Sequence, residues 1–466
     1  MQIKLKTITI AGSFLNSLKH LVVVILVFTA GVSNVFGWGM GHSAATQSAL
    51  DVQPDWVKDL FAGERNNLVA IYAHYPDTPV SNTNSRPYIY FHKGVPFHYF
   101  PEEPMEMNFD RCLGGFTFAF ENAVKAIHEK RITDAAKFLG ALAHTLEDSG
   151  GPQHGLEGVM GLRREWATGY PMLDQLFPPP PEKLNDPICI VLGGYVPGTQ
   201  TNASIRDYSP KLLGTTAKEA AFCMYRRFWD LLISSRSGAV KITRAYYAGD
   251  KNGVVTRLDE ELKFGAQVVA DMFYTAACIG TGRFDAGEIA ATEVTRVEDL
   301  VPLVRPWYLA PGALAYSYDC IKKHAVYDDK FNRFPLSVLM ERDGKIEKVV
   351  FEKGFSTAQN SRIMWKIPGG IYDRLEVVPG FSADIPGNGK INIKISLDKK
   401  VVFETGPITG KEPVKPALLE IFHGGSLEFY AEVVGKECPS ACIVYGNPVL
   451  VRAHKPGMSF KPNTVE

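Results

Sequence analysis

This chain of 466 residues is short of three things: cysteine, net charge of either sign, and long apolar runs beyond residue 30. Seven cysteines are too few to make disulfides the main scaffold of a protein this size. Cys438 and Cys442 are close enough in sequence for a small loop bridge. Cys112, Cys189, Cys223, Cys278 and Cys320 are scattered singly with no CxxC pair, which favours buried thiols or isolated bridges over zinc ligands. Lysine plus arginine numbers 50 and so does aspartate plus glutamate, which argues against a strongly basic nucleic-acid grip or a polybasic membrane-surface protein. Internal repeats and low-complexity tracts are also missing. What is there is ordinary for a globular chain, 45% hydrophobic and 21% charged, at a length that suits two or three domains.

The one apolar run, Leu21 to Ala30, follows Lys4, Lys6, Lys19 and His20 and precedes small residues, with Val35 and Gly37 just before Trp38. That order is the order of a secretory signal. Residues 1–37 are therefore expected to be a signal peptide, with an uncleaved anchor as the alternative reading. After cleavage no later stretch would span a bilayer, so a secreted or periplasmic protein is expected.

From residue 38 to about 330 the pattern is helical. Ala135 to Asp148 repeats apolar residues at Ala135, Phe138, Leu139, Leu142 and Leu146, with Thr133 or Asp134 as a cap and Gly150-Gly-Pro152 as the stop. Further helices are expected over about 217–233 and 259–279, and Pro178–Pro181 marks a loop between them and the first. After about 330 the texture changes. Lys390 to Leu397 alternates strictly, and shorter runs recur at 362–367, 374–378, 401–404, 426–434 and 441–445, separated by glycine-rich turns. Short strands at this spacing suggest a β-sandwich. The expected domains are a signal peptide at 1–37, an α-helical domain at 38–330 and a β-sandwich module at 338–454, with a boundary near 330–340.

Seven of the eleven histidines lie between residues 42 and 154. His144 and Asp148 are four apart on one expected helix and so share a face. Gly140 and Ala141, one turn earlier, would leave open space beside them. His154 follows just beyond the Gly-Gly-Pro stop and can fold back toward the same point. Nitrogen and oxygen donors converging in this way suit zinc, although a HisxxxAsp pair alone is also compatible with a simple hydrogen bond. Cleavage before Trp38 would add an α-amine that a metal deprotonates readily, with His42 four residues on.

These segments together resemble a family. Trp38-Gly-Met-Gly-His42 resembles the mature start of zinc-dependent phospholipase C and its single-strand-nuclease relatives, and Phe138 to His154 resembles their central HisxxxAsp–Pro–His signature. Ile71 to Asp77 and Phe97-His98-Tyr-Phe are similar to the segments that supply an aspartate and a histidine to the same cluster. The resemblance covers about residues 38–175. It implies that Asp77, His98, His144 and Asp148 hold one zinc, that Trp38, His42 and a bridging Asp148 hold another, and that His154 serves a third. The third position departs from the family: in Leu162-Arg-Arg-Glu-Trp-Ala167, arginine and alanine replace the histidine and the acid. Arginine cannot ligate zinc. Two zinc ions are therefore expected, a third only if Glu157 or Glu165 substitutes, with Arg163 and Arg164 as phosphate clamps. The implied activity is hydrolysis of a phosphate ester, phospholipid or nucleotide, by metal-activated water, with Asp77 and Asp148 as the catalytic carboxylates. The alternative is a catalytically impaired zinc-binding protein.

Lys345 to Ile363, Tyr372 to Val377 and Lys394 to Gly406 resemble, in order, the carbohydrate-binding module called NPCBM. That resemblance covers about 340–453 and implies a jelly-roll sandwich with a glycan as partner. Packing against the helical domain is the competing role. Trp365 and Tyr372 would be sugar-stacking rings if exposed and core aromatics if not. The expected architecture is thus an all-α phospholipase C-like domain followed by an all-β jelly-roll.

Overall fold

The computed structural model describes residues 40–78, 82–91, 95–96, 106–156, 202–303, 321–328, 330–435 and 442–453. Residues 1–37, the expected signal peptide, lie outside them.

The helical part is built on α1 (Met40–Asp51), α2 (Glu106–His128), α3 (Ile132–Gly150), α4 (Pro152–Leu156), α5 (Ala217–Tyr247) and α6 (Lys251–Thr281). Among the described residues no helix is long and apolar enough to cross a membrane. Helix α3 is the central one. From Leu139 to Gly150 every residue is buried, so its second half is enclosed all round by α2, α5, α6 and the 3-10 turn Tyr72–Asp77. A helix so enclosed is normally apolar throughout. This one carries His144, Thr145, Glu147, Asp148 and Ser149 inside, and each buried polar group needs a partner.

Local chemistry sets the helix ends. Thr216 caps α5 by accepting from Glu219 N at 3.2 Å, and Asp250 caps α6 by accepting from Gly253 N at 2.8 Å. Gly282 closes α6 at φ +73°, a left-handed conformation that suits glycine. Helix α3 starts three residues earlier than Ala135, and neither Thr133 nor Asp134 caps it. Both are engaged elsewhere: Thr133 Oγ1 donates to Glu64, and Asp134 accepts from Arg131 and Tyr88. The stop is where the Gly-Gly-Pro placed it, with Gly151 as the C-cap.

The β part comprises β1 (Val294–Arg296), β2 (Lys322–Lys323), β3 (Gly354–Ala358), β4 (Arg362–Ile367), β5 (Tyr372–Phe381), β6 (Lys390–Leu397), β7 (Lys400–Thr409), β8 (Ala417–Glu420), β9 (Gly425–Val434) and β10 (Cys442–Arg452). One antiparallel sheet runs β4-β9-β6-β7 and the other β8-β5-β10-β3-β2, with β1 also paired to β10. A separate hairpin, Leu336–Arg342 with Lys345–Phe351, flanks them. The two sheets enclose one core. Ile391, Ile393 and Ile395 point inward at 0% exposure and meet Phe355, Trp365, Phe429 and Tyr445. Trp365 and Tyr372, at 1% and 3% exposure, belong to the core and offer no face to a sugar.

The strands begin before the change of texture at 330–340. Segment 294–296 pairs with Val449–Val451 and 322–323 pairs with Phe355–Ser356. Both are too short for a period-2 pattern to register. The β and helical parts are also tied together by Arg452. Its guanidinium donates to Thr292 Oγ1 at 2.6 Å, Ile289 O at 3.2 Å and Thr215 Oγ1 at 3.3 Å, and lies 3.6 Å from Glu219. Lys218 Nζ donates to Gly369 O at 2.6 Å across the same seam.

Candidate metal centre

The site forms where α1, the 3-10 turn and α4 meet the enclosed half of α3. Glycine 140 makes the meeting possible. A Cβ there would overlap Tyr72 Cβ and lie 2.7 Å from the Tyr72 carbonyl carbon, so the space expected to be open beside His144 is filled by the backbone of the turn. That approach delivers two groups. Ala73 O accepts from His144 Nδ1 at 2.7 Å, and Asp77, at the turn's end, stands 3.6 Å from His144 Nε2. Because Nδ1 carries the proton in that bond, the Nε2 lone pair of the neutral ring is turned into the site.

Helix α1 brings in His42, wholly buried, its ring stacked on that of His144 with centroids 4.1 Å apart and planes at 19°. Its Nδ1 is 2.9 Å from Glu147 Oε2, and a carboxylate only accepts, so Nδ1 donates. His42 Nε2 then faces Asp148 Oδ1 at 3.2 Å, without the alignment of a hydrogen bond. From the opposite side His154 Nε2 reaches 3.2 Å from the same Oδ1, while Asp148 Oδ2 is 3.0 Å from His144 Nε2. Asp148 is therefore the hub, touched by three imidazoles.

Burial alone would disfavour a charged His42, but the carboxylates of Asp148 and Glu147 outweigh it and push the imidazole up to about 10. Burial likewise opposes an ionised Asp148, and attraction and hydrogen bonding from the imidazoles of His144 and His154 override it, holding the carboxyl well below the usual range. His74 moves the other way, down to about 4, through burial and the nearby charges of His42 and His144. It donates from Nε2 to Ser43 Oγ at 3.0 Å, and Ser43 in turn donates to Val69 O at 2.9 Å. His74 thus buttresses the wall behind His42, edge-on to it at 5.6 Å.

His42, His144 and Asp148 are buried and offer ligand atoms that all lie within 4.8 Å of one another. Zinc held at about 2.0–2.1 Å separates neighbouring ligands by roughly 3.3 Å in tetrahedral geometry. The separations here, 3.0 to 3.6 Å, bracket that spacing. Nitrogen and carboxylate donors, with His42 Nε2 and Asp148 Oδ1 buried without hydrogen bonds, are a donor set that fits a cation such as zinc.

Of the residues read from the sequence, His42, Asp77, His144, Asp148 and His154 come together. Trp38, His98, Arg163 and Arg164 lie outside the described residues, as do His92, Glu157 and Glu165. His128 is exposed on α2. Among the described residues Cys112, Cys223, Cys278 and Cys442 are free thiols; Cys438, the other half of the expected loop bridge, lies outside them, as do Cys189 and Cys320. The residue missed was Glu147, and with it Thr46, whose hydroxyl donates to Glu147 Oε1 at 2.6 Å. Each has a faint signal in hindsight: Glu147 is three residues from His144, and Thr46 is one turn after His42.

Residues 325–450 match the family model described as NPCBM/NEW2 domain. No curated protein matches the sequence. Among solved structures, the CBM51 of Clostridium perfringens GH95, in complex with methyl-galactose, aligns at 22% identity over 34% of this chain and 99% of its own, with a TM-score of 0.27. Alpha toxin from Clostridium absonum aligns at 11% identity over 91% of this chain and 95% of its own, with a TM-score of 0.29. The alpha-toxin of an avian strain of Clostridium perfringens, SWCP, aligns at 9% over 90% and 93%, with a TM-score of 0.28. The C-terminal region is thus an NPCBM-type β module that follows a helical region bearing a buried His/Asp cluster.

Proposed function

We propose that the chain is an exported zinc-dependent hydrolase of phosphate esters, anchored or targeted by a glycan-binding β module. The observation that carries the reading is the convergence of His42, His144 and His154 on one buried carboxylate, Asp148. Asp77, His144 and Asp148, with His98, would hold one ion; His42 and Asp148, with the Trp38 amine and carbonyl, would hold a second. Bound zinc supplies Lewis-acid polarisation of a phosphoryl oxygen and a water acidic enough to act at neutral pH.

The chain's own residues set the rest. Ala73 O holds the Nδ1 proton of His144, so a cation would meet that ring at Nε2. Asp148 would be shared between the two positions and would supply negative charge to both. Asp77, with its side chain 35% exposed, sits at the open side of the cluster and is the group suited to orient an incoming water and take its proton. Arg163 or Arg164 would clamp a phosphate oxygen where the third metal position is lost. The β module would bring the domain to glycan-bearing surfaces, as the NPCBM match favours.

Hydrolysis of phosphatidylcholine, single-stranded DNA and a chromogenic phosphodiester, each with and without chelator, tests this. Chelator-sensitive turnover of any one supports the enzyme. The absence of histidine between His154 and His324 favours a second reading, a zinc protein that has lost turnover. Zinc binding without hydrolysis on all three substrates selects it.

A further inference from the structure

We propose that Glu147 is a positioning residue of this centre, holding His42 in the orientation and tautomer that a cation needs. The inference rests on the metal reading above and concerns a carboxylate which that reading does not use. Glu147 is adjacent to Asp148 on α3, yet the two side chains do different work. Asp148 turns to the cluster, whereas Glu147, 3% exposed, turns behind it and spends both oxygens on α1. Oε1 accepts from Thr46 Oγ1 at 2.6 Å and Oε2 accepts from His42 Nδ1 at 2.9 Å. Thr46 and His42 are one helical turn apart and share a face of α1, so one carboxylate grips two successive turns.

Three physical consequences follow. With Nδ1 committed to Glu147, Nε2 is the ring nitrogen that faces Asp148 Oδ1 3.2 Å away, and a cation displacing its proton would find the lone pair there. The negative charge behind the ring makes Nε2 a stronger donor to a cation. The Thr46 bond fixes the carboxylate so that the ring cannot swing, and the stacked ring of His144 at 4.1 Å blocks rotation on the other side. Close packing of α6 against α3, with Gly265 placed so that a Cβ would be 3.9 Å from Glu147 Cα, keeps this arrangement inside the bundle.

The test is zinc affinity of the whole chain, measured by competition with a chromophoric chelator, with circular dichroism to confirm folding. Glu147→Ala is expected to weaken zinc binding by about 10–100-fold. Glu147→Gln, which keeps an oxygen for His42 Nδ1, should recover most of that loss. Cobalt(II) in place of zinc should give the unaltered ligand-field spectrum with Glu147→Gln and a changed one with Glu147→Ala. Should Glu147→Ala not fold, Thr46→Val removes only the clamping hydroxyl and is expected to weaken zinc by a few fold. Affinities within twofold of the unaltered protein, with the same cobalt spectrum, overturn the role of Glu147 while leaving the metal centre standing. An unaltered protein that binds no zinc overturns both.

Discussion

His42 Nε2 and Asp148 Oδ1 lie 3.2 Å apart inside the protein, and neither makes a hydrogen bond. Without a metal they attract one another as a protonated ring and a carboxylate. A cation bound at Nε2 would take the place of that proton.

Asp148 is the hub, so its loss should be the most damaging single change at the centre. Asp148→Asn keeps the shape and removes the charge that three imidazoles share. Zinc content is expected to fall below one per chain and phosphodiesterase activity by at least about 100-fold, since Lewis-acid activation goes with the metal. Metal analysis alongside the chromogenic assay checks both.

Gly140 is a stability and a site residue at once. Gly140→Ala forces the turn bearing Ala73 and Asp77 away from α3, at a cost of about 1–3 kcal/mol for overpacking. Thermal unfolding should register the loss. Zinc affinity should fall with it, because the acceptor for His144 Nδ1 moves too.

Asp271 gives a pH signature far from the cluster in chemistry. At 1% exposure it accepts from Tyr208 at 2.9 Å and from Lys211 N at 2.8 Å. Burial nonetheless pushes its carboxyl up to about 6, against the opposing pull of the Lys211 amide and of Arg227. A native value above the unfolded one means the folded state holds the proton longer. Stability from this group is full below about pH 4 and is lost as pH rises to about 6, some 3 kcal/mol for a two-unit gap. Urea unfolding across that window should show the slope, and Asp271→Asn should flatten it.

Arg452 holds the β part to the helical part. Arg452→Ala leaves Glu219, 5% exposed, buried without its cation and strips donors from Thr292 and Ile289 O. A loss of about 3–5 kcal/mol is expected in denaturant unfolding. Arg452→Lys should restore little of it, because an ammonium cannot reach all of those acceptors at once.

The strands were the easiest features to read. At 390–397 and 362–367 the sequence limits coincide with the strands, because a sheet with one buried face writes its period of two directly into the residues. Strands 294–296 and 322–323 are too short to write any period, and they are recruited by the edges of strands far along the chain. Helix α3 was legible from its apolar repeat, yet its cap was not, since Thr133 and Asp134 are drawn to Glu64, Arg131 and Tyr88 by tertiary contacts. In the site, His144, Asp148 and His154 were visible through helical spacing and a proline-marked turn. Glu147 was not, because neighbours on a helix point about 100° apart and nothing local says that the direction of Glu147 leads to α1. The role of Gly140 was inverted for a similar reason: a missing side chain looks like space until another backbone fills it.

The measurement that most directly tests the central claim is the zinc content of the purified mature protein, beside His144→Ala. About two zinc ions per chain, falling by at least one in the variant, is the predicted result. A chain with no zinc, or a His144→Ala variant that keeps its full complement, would contradict the metal centre built on His42, His144 and Asp148.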